Sequence, residues 1–190
     1  SEATPENLSP ETLEKALGAF LAGGRALPKF WLDAAQKHAA EKPLIYIYLQ
    51  AFKSLTPTSG ITLKPEDFIA SLKPLKAGDR EQIIAILESL DKEADILDSA
   101  AEAYEKHSGL TSNNNYVMPT DSLIKLLETA PEKKQIGITV LAVLNSLAGN
   151  PDNMYSGTVH KALNSMLNVG LIEDARLIGA ETVAHVLNKY

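Results

Sequence analysis

Thr158-Val-His-Lys-Ala-Leu-Asn-Ser-Met-Leu-Asn-Val-Gly170 runs directly into Leu171-Ile-Glu-Asp-Ala-Arg-Leu-Ile-Gly-Ala-Glu-Thr-Val-Ala-His-Val-Leu-Asn-Lys-Tyr190, and this stretch decides the fold. In its first half Val159, Ala162, Leu163, Met166 and Leu167 recur at helical spacing and fall on one stripe. Ala175, Ile178, Val183, Val186 and Leu187 do the same in the second half. Gly170 stands where a helix end takes a left-handed residue. Glu173 and Asp174 follow in the first turn of the next helix, where the helix dipole favours negative charge. Two amphipathic helices joined by so short a turn are expected to pack antiparallel.

The same signals extend through the chain. Ser9-Pro10-Glu11 supplies an N-cap, a first-turn proline and an early acid ahead of Leu13, Ala16, Leu17, Phe20 and Leu21, and Gly23-Gly24 closes that helix. Pro28 opens a second. Leu44 to Leu55 begins with β-branched and aromatic residues, but its length, its helical flanks and the lack of a partner strand predict a buried helix. Pro65 starts a further helix that Pro74 stops, and Asp79 with Gln82 reads as a capping box before Ile83. Ala94, Leu97, Ala101 and Tyr104 line another helix, Asp121 to Thr129 and Pro131 to Leu147 form a pair, and Asn150 to Ser156 links them to the closing hairpin. The pattern predicts an all-α chain of about ten helices in stacked antiparallel hairpins, as a right-handed solenoid or a compact bundle.

Shifting the chain against itself by 146 residues places Thr12 on Thr158, Leu21 on Leu167, Gly24 on Gly170 and Ala34 on Ala180, with seven identities in 23 positions. Asp121-Ser-Leu-Ile-Lys-Leu-Leu repeats the opening of this pattern and Asp67-Phe-Ile-Ala-Ser-Leu repeats it more loosely. Thr12, Asp67 and Ser122 lie 55 residues apart. On the hairpins Thr12 to Ala35 and Thr158 to Val186, with Asp121 to Leu147, the chain resembles α-solenoids of the tetratricopeptide, HEAT and armadillo kind. No consensus of those families is matched residue by residue, so the resemblance carries architecture alone. It implies a stacked helical surface that holds another protein or peptide. The expected organisation is one domain over 1–190, with repeat units 9–60, 61–118 and 119–190, drawn from a processed or longer chain because the first residue is Ser1.

Composition narrows the function classes. With 190 residues and 45% hydrophobic content the chain can bury a sizeable core. A net charge of −6, from 24 acidic and 18 basic residues without a basic block, argues against nucleic acid. The absence of cysteine excludes disulfides and thiolate metal sites without fixing a compartment. No apolar run reaches the roughly 20 residues that span a bilayer, and the polar start is no signal peptide. A soluble protein is expected, cytoplasmic or, after removal of a signal peptide, periplasmic or secreted; the oligomeric state is left open.

Catalytic and cofactor chemistry has no foothold in these patterns. His38, His107, His160 and His185 form no ligand spacing. Asp91, Asp95, Asp98 and Glu102 share a helical face that reads as a solvated surface, since one helix cannot wrap its own carboxylates around a cation. No serine has an identifiable base, and Gly18 to Gly24 lacks the strand and the lysine of a phosphate loop. The sequence therefore predicts no catalytic, cofactor or metal residues and a non-enzymatic module that binds a protein or peptide or mediates assembly. Its expected contact surface is the concave side of the stack with the loop from Ser108 to Pro119. Candidate contacts are Phe30, Trp31, Tyr46 and Tyr48 in the aromatic concentration that also holds Phe52, and Asn113, Asn114, Asn115 and Tyr116 in the loop. The second expectation is a carrier that encloses an apolar small molecule or lipid between helices, lined by the aromatic group.

Overall fold

The computed structural model describes residues 8–90, 119–148 and 155–190. The described residues contain nine helices and no strand. They are α1 (Pro10–Ala22), α2 (Lys29–His38), α3 (Pro43–Leu55), α4 (Pro65–Ser71), α5 (Ala77–Leu90), α6 (Asp121–Glu132), α7 (Ile136–Leu147), α8 (Ser156–Asn168) and α9 (Ile172–Leu187). The protein is all-α, as the periodicity predicts. The helix expected around Ala94 to Tyr104 and the loop with Asn113 to Tyr116 lie outside the described residues.

The chain divides into two compact units. One comprises residues 1–76 with 180–190, the other residues 77–179. The closing stretch is therefore not a self-contained pair: α8 and the start of α9 belong to the second unit, and the last residues of α9 to the first.

In the first unit α3 packs against α1, α2 and α4. Every residue from Ile45 to Phe52 is buried, which explains why this helix shows a continuous apolar run instead of a stripe. Leu13, Leu17 and Leu21 form the stripe that α1 buries, and all three are fully enclosed. The Ser9 hydroxyl accepts the Thr12 amide at 3.2 Å, capping α1 as its sequence predicts. The second unit is built around α8, which packs against α5, α6 and α7, and α7 also packs on α6. Val159, Ala162, Leu163 and Met166 are the buried stripe of α8.

Three helices end in the same turn. The amides of Gly24 and Arg25 bond the carbonyls of Leu21 and Phe20, those of Lys134 and Gln135 bond Pro131 and Ala130, and those of Gly170 and Leu171 bond Leu167 and Met166. This paired pattern satisfies carbonyls that a helix end leaves free, and it needs a left-handed residue at its centre. Gly24 has φ 59°, Gly170 has φ 84° and Lys134 has φ 52°. Helices α1 and α8 are each 13 residues long, and their bounds and turn glycines differ by the 146-residue shift read in the sequence.

Two boundaries differ from the sequence reading. Helix α5 starts at Ala77, so Asp79 is buried within its first turn and does not precede it as a cap. Pro131 does not open α7 but sits buried in the last turn of α6. A proline there cannot donate to the carbonyl four residues back. The Ser165 hydroxyl of α8 lies 2.6 Å from that carbonyl, on Leu127, and supplies the missing donor.

Candidate functional site

The aromatic residues separate by role. Phe30 and Trp31 at the start of α2 meet edge to face at 5.4 Å and 85°, and Phe20 from α1 approaches Trp31 at 6.2 Å. All three are half-buried. Tyr46 and Tyr48 are buried in α3. The Tyr46 hydroxyl donates to the Lys64 carbonyl at 2.6 Å and accepts the Lys64 amide at 2.8 Å, pinning the segment that leads into α4. The Tyr48 hydroxyl donates to Asn188 Oδ1 at 3.4 Å. Burial pushes its pKa well above that of an ordinary phenol, with Glu14 adding to the effect. Glu14 is itself raised by desolvation, against which Lys42 pulls down and Glu11 pushes up.

Residues 56–64 run beside α2 and are held by side chains. Thr58 Oγ1 accepts the Leu27 amide at 2.8 Å and Gln36 Nε2 donates to the Gly60 carbonyl at 3.1 Å. Two open clefts flank this segment. One, of about 480 Å³, is lined by residues that include Gln36, Tyr46, Leu49, Leu63, Lys64 and Asp67. The other, of about 380 Å³, includes Leu27, Leu32, Asp33, Pro57 and Thr58. Their walls mix single charges with hydroxyls and aliphatic carbons, with no convergent group that selects a ligand.

One polar constellation escaped the sequence because its members are 71 residues apart. Ser89 Oγ lies 2.9 Å from His160 Nδ1, and Asn164 Nδ2 lies 2.8 Å from His160 Nε2. The same serine hydroxyl donates to the Ala85 carbonyl at 2.7 Å. The proton arrangement that satisfies every partner puts the imidazole proton on Nδ1, with Nε2 accepting from Asn164. Ser89 then accepts from His160, the reverse of the proton flow that activates a nucleophile. Its side chain is buried in α5, and the constellation reads as a polar clamp between α5 and α8. Lys161 and Glu128 add an exposed ion pair between α8 and α6. No group of three or more His, Asp or Glu residues able to hold a metal occurs among the described residues.

The most distinctive surface is on α7. Its twelve residues, Ile136-Gly-Ile-Thr-Val-Leu-Ala-Val-Leu-Asn-Ser-Leu147, contain no charge. Thr139, Ala142 and Val143 are its buried residues. Ile136, Ile138, Leu141 and Leu144 stand 50%, 42%, 61% and 56% exposed. Gly137, Leu141, Leu144 and Ala148, all exposed, follow one another in steps of four, three and four and so form one seam. A methyl group added at Gly137 meets no atom within 4 Å. Asn145 folds its amide onto the Leu141 carbonyl at 2.8 Å, which spends the one polar side chain beside the seam on its own helix. Read as sequence, this helix belongs in a core; in the structure only one side of it does.

The fold defines an all-α protein with one uncharged helix face turned outward. No family model matches the chain, and no curated protein and no solved structure matches it significantly. No helix among the described residues is long and apolar enough to cross a membrane.

Proposed function

We propose that this chain is a non-enzymatic helical module that docks another protein, and that the outward face of α7 is the docking surface. The observation that carries this reading is the exposure of Ile138, Leu141 and Leu144, which follow one another in steps of three on a helix without a charged residue. Isolated exposed leucines are ordinary, whereas a contiguous apolar stripe marks an interaction surface. The shared turn geometry at Gly24, Lys134 and Gly170 supports construction from repeated helical hairpins, an architecture that presents helix faces to partners. The half-buried Phe20, Phe30 and Trp31 are a secondary contact candidate.

Affinity capture with the wild-type chain and with Leu141→Gln/Leu144→Gln tests the reading. Both side chains are exposed, so the variant retains its fold by circular dichroism. The proposal expects a discrete protein recovered with wild type and lost with the variant. Equal recovery by both would remove α7 as the surface.

A further inference from the structure

We propose that the hairpin of α6 and α7 is a flap that opens from α8 as one cooperative unit while α5 and α8 stay packed on each other, and that the Ser165 hydroxyl is its latch. Opening uncovers the flank of α8 that carries Ser165 together with the buried side of α7.

The attachment is one-sided and thin. Helices α6 and α7 pack on each other and on α8, and neither packs substantially on α5. The buried residues of the pair are Leu127, Ala130 and Pro131 on α6 and Thr139, Ala142 and Val143 on α7. None is aromatic and only one is a leucine, whereas α5 alone buries Ile83, Ile84, Ile86 and Leu87. Opening costs free energy in proportion to the apolar surface it exposes, so the least buried elements open first.

The hairpin also has little helical stability of its own. Ile136, Ile138, Thr139, Val140 and Val143 of α7 are β-branched, and Gly137 sits in its first turn. Both helices are 12 residues long, a length that is marginal in water without tertiary packing. Undocking from α8 and loss of helix are therefore one event, shared by α6 and α7.

The polar links release without stranding a donor. Among the described residues two of them cross from α8 to the hairpin. The Lys161–Glu128 pair is exposed and holds weakly. The Ser165 hydroxyl lies 2.6 Å from the Leu127 carbonyl and 2.6 Å from the Lys161 carbonyl four residues back on its own helix. When the hairpin leaves, that proton stays on Lys161, a bond a helical serine makes unaided, and the Leu127 carbonyl meets water. Another flank of α8 stays on α5, where Ser89 meets His160.

Native-state hydrogen exchange of the full chain, read amide by amide at rising sub-denaturing urea, tests the flap. The expected result is one shared opening for α6 and α7, with weaker protection and a smaller urea slope than α5 and α8 show. Ser165→Ala speeds exchange in α6 and α7 about tenfold, the effect of leaving one buried carbonyl unpaired. Ile86→Val, a mild change in the buried side of α5, speeds exchange in α5 and α8 about threefold or more and leaves α6 and α7 unchanged. Equal protection and slope in the hairpin and α8, or acceleration of the hairpin by Ile86→Val, would overturn the flap. Different openings for α6 and α7 would overturn the single unit, and hairpin exchange indifferent to Ser165→Ala would overturn the latch.

Discussion

The Ser165 hydroxyl lies 2.6 Å from the Leu127 carbonyl, the oxygen that Pro131 leaves without its helical donor. The hydroxyl is also 2.6 Å from the Lys161 carbonyl on its own helix, so its single proton is shared between α6 and α8. A sequence feature that disrupts one helix thereby becomes the attachment point for the next.

Replacing Ser165 by Ala strands the Leu127 carbonyl in a buried site, and the expected loss in urea unfolding is about 1–2 kcal/mol. Pro131→Ala restores an amide four residues on from Leu127. In the double variant that amide takes over, so the Ser165→Ala penalty shrinks by at least half; equal penalties in both backgrounds would refute the coupling.

Lys134 adopts φ 52° where the equivalent turns use glycine. Lys134→Gly therefore raises stability by about 1 kcal/mol, while Gly170→Ala lowers it by about 1–2 kcal/mol. Thermal unfolding reads both, and opposite signs are the required outcome.

Glu14 and Tyr48 give the stability a pH dependence of known sign. Both fold with raised pKa values, so the folded state holds its protons more tightly than the unfolded chain. For Glu14, stability falls as pH rises from the ordinary value of 4.5, and Glu14→Gln is more stable than wild type at pH 7, the gap closing below pH 4. For Tyr48, stability falls as pH rises past 10.0, and Tyr48→Phe flattens that decline. Chemical denaturation across the pH range measures each slope.

Leu141→Gln/Leu144→Gln changes unfolding free energy by less than about 1 kcal/mol, because neither side chain contributes to the core. The comparison is Leu163→Ala, fully buried in α8, at about 2–5 kcal/mol.

The elements that were legible in the sequence rest on local signals. Ser9 and Pro10 start α1, Gly24 and Gly170 end helices in the left-handed region, and the run from Ile45 to Phe52 is buried on all sides. What was illegible depends on distant partners. Pro131 reads as a helix start because its effect on Leu127 is repaired by a serine 38 residues away. The turn at Lys134 carries no glycine to announce it. Ser89 and His160 meet only through packing of α5 on α8. The α7 face was hidden for a different reason: an uncharged apolar helix predicts burial, and composition cannot say which of its sides the rest of the chain covers. Of the aromatic candidates, Phe30 and Trp31 do share a partly open surface, while Tyr46 and Tyr48 spend their hydroxyls inside the first unit.

Site-specific photocrosslinking in cells tests the docking role of α7 most directly, with the photoreactive residue placed at Leu141 and, as control, at exposed Lys53 on α3. The account predicts a discrete protein adduct from position 141 that position 53 does not give and that the added substitution Leu144→Gln weakens. Identical or absent adducts at the two positions would contradict it.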